Sequence, residues 1–160
     1  MELPIEENRD RLTYWLFFTT RCVTTTYAEV LRAHCEGLGK TYIVTPPQWG
    51  ALSLLLAQDG MVIGTMSQIR GIDASAVTGI VTRLEQMGLV ERRLNKQDRR
   101  VIQVFLTEEG REISKSLATV VERFELNLKN GFTDGEMERF YAHLQQMITN
   151  AAEISKELGQ

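Results

Sequence analysis

Two β-type runs stand side by side in a chain that otherwise reads as helix, and their position limits the fold more than any other feature. They are "LVERRL" (residues 89–94) and "RVIQVFL" (residues 100–106), rich in branched residues and separated only by the polar turn "NKQDRR". Runs of this kind pair as an antiparallel hairpin. The hairpin follows directly on "ASAVTGIVTRLEQMG", where a helix from about Ala74 to Met87 is stopped by Gly88. At ~100° per residue, Val77, Ile80, Val81 and Leu84 share one face of that helix and must be core. Ahead of it lie a short helix around Thr65–Arg70, with Met66 and Ile69 inward, and the turn "GID". Helix, short helix, tight turn, second helix, hairpin is the order of a winged helix-turn-helix.

The outer face of the second helix carries Ser75, Gly79, Thr82, Arg83 and Gln86, with Thr78 on the flank. An ordinary solvated helix is rich in Glu and Lys. Short hydroxyls, a glycine and one arginine instead let a helix sink into the ~12 Å wide major groove of DNA and meet phosphates or base edges. Charge agrees only locally. The chain of 160 residues has a formal net charge of −3, which by itself argues against a nucleic-acid partner. From Met61 to Leu106, however, seven basic residues face four acidic ones, a +3 island in a remainder of −6. A hairpin behind a recognition helix lies over the neighbouring minor groove, where an arginine at its tip can enter. Asp98 can hold Arg100 by a charge-assisted hydrogen bond, leaving Arg99 for backbone phosphate.

The flanks are helical. Residues from about Glu6 to Cys35 contain neither proline nor glycine and set Leu12, Leu16, Thr19, Val23, Tyr27, Val30 and Leu31 at helical spacing. "TPPQ" offers Thr45 as N-cap to a mostly buried helix ending at Gly60. Thr107 caps a helix with the stripe Ile113, Leu117, Val120, Phe124 and Leu128, and Thr133 with Glu136 forms a capping box for a last helix. There Met137, Phe140, Leu144, Met147, Ala151, Ile154 and Leu158 alternate three-four without a slip. Such a seam asks for a partner helix along its whole length, either the chain's own first helix or a second subunit. The expected class is mainly α with a small β-hairpin wing (α+β). Residues 1–45 form an N-terminal dimerisation helix and connector, 46–106 the winged helix-turn-helix, and 107–160 the C-terminal dimerisation helices.

Composition, 43% hydrophobic and 24% charged, is that of a folded globular protein. No apolar run approaches a membrane span and the first residues do not read as a signal peptide, so a cytoplasmic protein without a membrane partner is expected. No phosphate loop, nucleophile elbow or His-centred acid–base constellation points to an enzyme. His34, Cys35 and His143 do not make a zinc ligand set, and no cofactor is implied. Cys22 and Cys35, thirteen residues apart, would sit ~20 Å apart on one helix and cannot bridge within a subunit. Inert buried thiols are expected.

The stretch "IDASAVTGIVTRLEQMGLVERRLNKQDRRVIQVFLTEEGREI" resembles the DNA-binding core of MarR-type transcriptional regulators, and the similarity extends through "TPPQWGALSLLL" to the terminal helices. Its most specific parts are "VTRLEQMGLV", "DRR" and "LTEEG". The resemblance implies a homodimer with interdigitated terminal helices and two winged lobes on successive major grooves of a pseudo-palindromic operator. It makes Ser75, Ala76, Thr78 and Arg83 recognition-helix contacts, Arg100 the wing arginine and Asp98 its positioner. Gly79 stands where the family often has a polar or basic residue, Arg70 replaces a usual apolar one, and Phe105 occupies a position commonly small. Members commonly respond to small aromatic acids or phenols in a cleft between dimerisation helices and winged lobe. Phe18, Arg21 and Trp49 are the candidates here, an aromatic platform and a cation for a carboxylate. Others sense cysteine oxidation, but with the reactive residue nearer the helix start, where this chain has Thr13. The expectation is a homodimeric DNA-binding regulator, a repressor released by a small effector. The alternatives are a winged-helix protein–protein module without DNA binding, or a cysteine-based redox regulator.

Overall fold

The computed structural model describes residues 10–95 and 101–159. In chain order they form α1 (Leu12–Gly37), α2 (Pro46–Ala57), β1 (Met61–Val62), α3 (Ile63–Arg70), α4 (Ala74–Gln86), β2 (Val90–Leu94), β3 (Ile102–Leu106), α5 (Glu108–Leu128) and α6 (Asp134–Leu158). The expected hairpin is present: β2 and β3 pair antiparallel from Val90↔Leu106 to Leu94↔Ile102. A third strand joins it. Met61 and Val62 pair with Val104 and Gln103 on the other edge of β3, giving the order β1-β3-β2. The first nine residues, where α1 was expected to begin, lie outside the described residues.

The capping signals correspond to helix starts. Thr45 N–H donates to Gln48 Oε1 at 2.8 Å ahead of Pro46. Gly110 N–H donates to Thr107 Oγ1 at 2.9 Å, and Thr133 N–H to Glu136 Oε2 at 2.8 Å. Gly88, at φ +71°, lets the chain leave α4 in a left-handed turn that a side chain would resist.

The chain forms two units, one up to Phe124 and one from Glu125. In the first, Val77, Val81 and Leu84 of α4 are buried with Leu52 and Leu55 of α2, Val90 and Val104 of the sheet, and Leu31, Cys35, Ile113 and Leu117 of α1 and α5. One core therefore runs across the connections at 45/46 and 106/107. Two polar ties seal its rim. Asp59 accepts from the Leu106 N–H at 2.9 Å and from Arg111 Nη2 at 2.5 Å. Glu109 Oε1 accepts from Lys40 Nζ at 2.7 Å and from the Tyr42 hydroxyl at 2.5 Å. The Lys40 and Tyr42 bonds, in that order, hold the Glu109 carboxyl below its ordinary range. Burial, and then the bond to Glu109, push the Tyr42 hydroxyl above its own.

One inward residue is corrected. Ile69 is 56% exposed, while Met66 is fully buried. The core side of this eight-residue helix is taken by Met66 and half-buried Ile63, which leaves Ile69 at its exposed end. Arg70 folds over α2 instead: an added Cβ on Gly50 would lie 1.5 Å from Arg70 Nη1, which donates to Pro47 O at 3.3 Å.

In the second unit, α6 has its expected capping box and apolar seam, yet none of its residues is buried in the single chain. Phe140 is 50% exposed and Leu158 83%. Met137, Leu144 and Met147 are half-buried.

Candidate nucleic-acid interface

Helix α4 turns Val77, Val81 and Leu84 into the core, with Ile80 half-buried beside them. The opposite surface is thereby presented to solvent: Ser75, Ala76, Thr78, Gly79, Arg83 and Gln86 are all exposed. Arg83 makes no hydrogen bond or ion pair among the described residues. An added Cβ on Gly79 would meet nothing within 4 Å. The surface is small, open and cationic.

Its hydroxyls are less available than their exposure suggests. Thr78 Oγ1 donates to Ala74 O and Thr82 Oγ1 to Thr78 O, each at 2.8 Å, the back-bonding common for such residues within helices. Thr82, expected as a DNA contact, is engaged twice, because its oxygen also accepts from Arg92 Nη2 at 2.8 Å. The other end of the Arg92 guanidinium donates to Glu85 Oε2 at 2.5 Å. Sequence reasoning missed this connection between β2 and α4. Two signals could have found it. Thr78, Thr82 and Glu85 fall on one stripe of α4, and Arg92 shares the strand parity of buried Val90. Glu85 is the only acid within α4, and Arg92 neutralises it.

On the opposite face of β2, Arg93 pairs with Glu91 and lies 4.7 Å from the centre of the Phe105 ring. That ring in turn covers Gly60, whose added Cβ would come within 2.7 Å of it. Beyond β2 the Asn95 N–H donates to Val101 O at 2.8 Å, so the two ends of the wing are tied together. Asp98, Arg99 and Arg100, the expected finger, lie outside the described residues.

Of the three effector candidates, Phe18 and Arg21 lie on α1 and Trp49 on α2. Arg21 stacks on Phe18 along α1, 5.3 Å from the ring centre. Trp49 is buried in the core. A groove of about 460 Å³ opens elsewhere, between Thr24, Thr25, Ala28, Glu29 and Arg32 of α1 and Ile43, Val44, Thr45 and Pro46 of the connector. Of the two cysteines, Cys35 is fully buried and Cys22 partly so, and neither forms a disulfide. No helix among the described residues is long and apolar enough to cross a membrane.

Residues 44–102, from the connector to the first residue of β3, match the model of the MarR family. The uncharacterized HTH-type transcriptional regulator YsmB of Bacillus subtilis (strain 168) is 31% identical over 120 residues, covering 75% of this chain and 82% of that protein. The HTH-type transcriptional repressor MdtR of the same organism is 31% identical over 118 residues, 71% of this chain and 73% of its own. Among solved structures, the transcriptional repressor CouR bound to a 23-mer DNA duplex shares the fold with a TM-score of 0.75 at 23% identity, over 92% of this chain and 99% of that one. Helix order, hairpin, core and relatives agree: this chain belongs to the MarR family of transcriptional regulators, which are not enzymes.

Proposed function

We propose that this regulator binds double-stranded DNA as a homodimer, placing two copies of α4 in successive major grooves of a pseudo-palindromic operator, and that it represses until a small effector releases it. The observation that carries the reading is the outer face of α4: exposed small residues and a cation, Arg83, without a partner among the described residues, with the helix's only acid neutralised by Arg92. Ser75, Ala76, Thr78, Gly79 and Arg83 are the residues assigned to the groove. Thr82 belongs to the link with the wing rather than to DNA. Arg100 reads the minor groove, aimed by Asp98, and Arg99 serves phosphate, as the family resemblance implies. The solved CouR complex with a 23-mer duplex supports a DNA partner for this fold.

Dimerisation rests on apolar surface. Leu12 and Leu16 near the start of α1 and Phe140, Ile154 and Leu158 on α6 are exposed in the single chain. An apolar stripe left exposed along a helix marks an interface in a folded protein. Residues 1–45 and 107–160 thus supply the subunit contact, and 46–106 the DNA contact. The α1–connector groove suits a small ligand: its volume lies within the roughly 300–1,000 Å³ usual for such sites, and Ala28, Ile43 and Pro46 offer apolar walls beside the Arg32 cation. Arg32 is already paired with Glu36, and Glu29 also lines the groove, so a phenol fits that mixture better than a carboxylate.

Selecting bound sequences from random duplexes with purified protein tests the reading. Enrichment of an inverted repeat with half-sites about one helical turn apart is expected. Recovery of unenriched sequence would leave a winged-helix protein–protein module as the better account.

A further inference from the structure

We propose that Arg92 is a positioning residue that fixes the wing against the recognition helix, so that it contributes to choice of sequence and not to attraction for DNA. The inference rests on the DNA-binding reading above and assigns a positioning task to a cation that reading uses only to neutralise Glu85.

Arg92 lies on β2 opposite buried Val104, and its side chain crosses from the sheet to α4. Nη1 reaches Glu85 Oε2 at 2.5 Å and Nη2 reaches Thr82 Oγ1 at 2.8 Å. The two acceptors are three residues apart on one stripe of α4, so a planar fork with fixed donor directions spans them where an ammonium point charge cannot. Thr82 is itself held, since its hydroxyl donates to Thr78 O at 2.8 Å. The link therefore ends on helix backbone and not on a loose side chain. Its environment supports persistence: the Arg92 side chain is 25% exposed. Arg93, one residue on but facing away, is 57% exposed and pairs with Glu91 of its own strand. Shielded pairs are weakened by salt much less than open ones.

Specific binding asks the helix in the major groove and the wing over the minor groove to engage together. Loosening the joint between them adds an ordering cost to that state. Non-specific binding, dominated by phosphate charge, does not require joint engagement and should not feel the loss. A phosphate-contacting arginine would behave differently. Lysine would replace it with little loss, and removing the neighbouring Glu85 charge would tighten binding to any duplex.

The test compares the operator recovered by selection with a scrambled duplex of equal length, using full-length wild type, Glu85→Gln, Arg92→Lys, the double variant, and Arg93→Lys as a control away from α4. Wild type that does not discriminate the two duplexes overturns the DNA reading itself, and this inference with it. Given discrimination, Glu85→Gln and Arg92→Lys should each weaken operator binding about tenfold, the lower end of what a charge-assisted hydrogen bond supplies. Scrambled-duplex affinity should stay within about twofold, since phosphate contacts carry it. The double variant should be no weaker than the worse single one, because both changes break one link. Tighter binding of both duplexes by Glu85→Gln, or an Arg92→Lys effect equal on both duplexes or absent from both, refutes the assignment while leaving DNA binding intact.

Discussion

Gly79 lets fold and function be moved in opposite directions by one methyl group. It lies inside α4, exposed, and a Cβ added there would meet nothing within 4 Å. Among the described residues nothing requires a glycine there, and its backbone is helical. Glycine in a helix interior is about 1 kcal/mol less favourable than alanine. Gly79→Ala should therefore stabilise the protein by roughly 0.5–1 kcal/mol, partly by restricting the unfolded chain. For a chain of this size that corresponds to a rise of about 1–4 °C in Tm. The same methyl group occupies the surface assigned to the major groove, where disturbing one base contact costs roughly 1–3 kcal/mol. Affinity for the operator selected by wild type should fall by about tenfold, near the lower end of that range. Thermal unfolding and fluorescence-anisotropy titration of one preparation give both numbers. A lowered Tm would mean that the methyl group meets part of the protein. A raised Tm with unchanged operator affinity would remove Gly79 from the interface and weaken the case for the whole α4 face.

Three further outcomes are expected. Gly110→Ala should be severely destabilising, because its Cβ would lie 1.8 Å from Leu89 O, forcing α5 off the α4–β2 junction; overpacking costs about 1–3 kcal/mol or more, and a urea midpoint equal to wild type refutes the packing. Leu144→Glu on the α6 seam should give a monomer by light scattering and lose operator binding with it, since single half-site engagement forfeits the effective concentration of a linked pair; a variant that remains dimeric places the subunit contact elsewhere. The Lys40–Tyr42–Glu109 cluster should limit stability at both pH extremes. Glu109 is depressed below its ordinary 4.5, so its contribution is complete above that value and is lost as pH falls through the lower folded value. Tyr42 is raised above its ordinary 10.0, so its contribution is complete below that value and is lost as pH rises beyond it. Urea unfolding across pH should show a shallower acid decline for Glu109→Gln and a shallower alkaline decline for Tyr42→Phe; slopes equal to wild type would show that the cluster does not couple folding to protons.

Periodicity and caps made the helices legible because each signal is local. Thr45, Thr107 and Thr133 mark their starts within one turn, and Val77, Val81 and Leu84 need only a helical wheel to be assigned inward. Strand β1 was not legible because Met61 and Val62 are too few to show alternation; only their pairing with Val104 and Gln103 makes them a strand. Ile69 illustrates the opposite failure. Its spacing from Met66 is helical, but whether a further seat exists beneath α3 depends on α2, where Arg70 lies over Gly50. The groove was equally hidden. Its walls come from α1 and a connector about a dozen residues further on, so no single stretch carries it.

The candidate interface was legible as a face but not as a set of available groups. Helical spacing shows that Thr82 and Arg83 share the outer side of α4, with Thr78 on its flank. It cannot show that Thr82 is bonded on both sides while Arg83 makes no bond among the described residues. The charge island becomes sharper for the same reason. Of its seven basic and four acidic residues, the structure pairs Arg92 with Glu85 and Arg93 with Glu91. Five basic residues then stand against Asp73 and Asp98, and three of the five, Lys96, Arg99 and Arg100, belong to the wing segment. The net +3 is unchanged, and among the described residues its unpaired carriers are Arg70, lying over α2, and Arg83, on the outer face of α4. A cation on the small-residue face of α4 would attract phosphate beside the proposed groove contacts, and an evenly charged hairpin would attract it without aligning the helix.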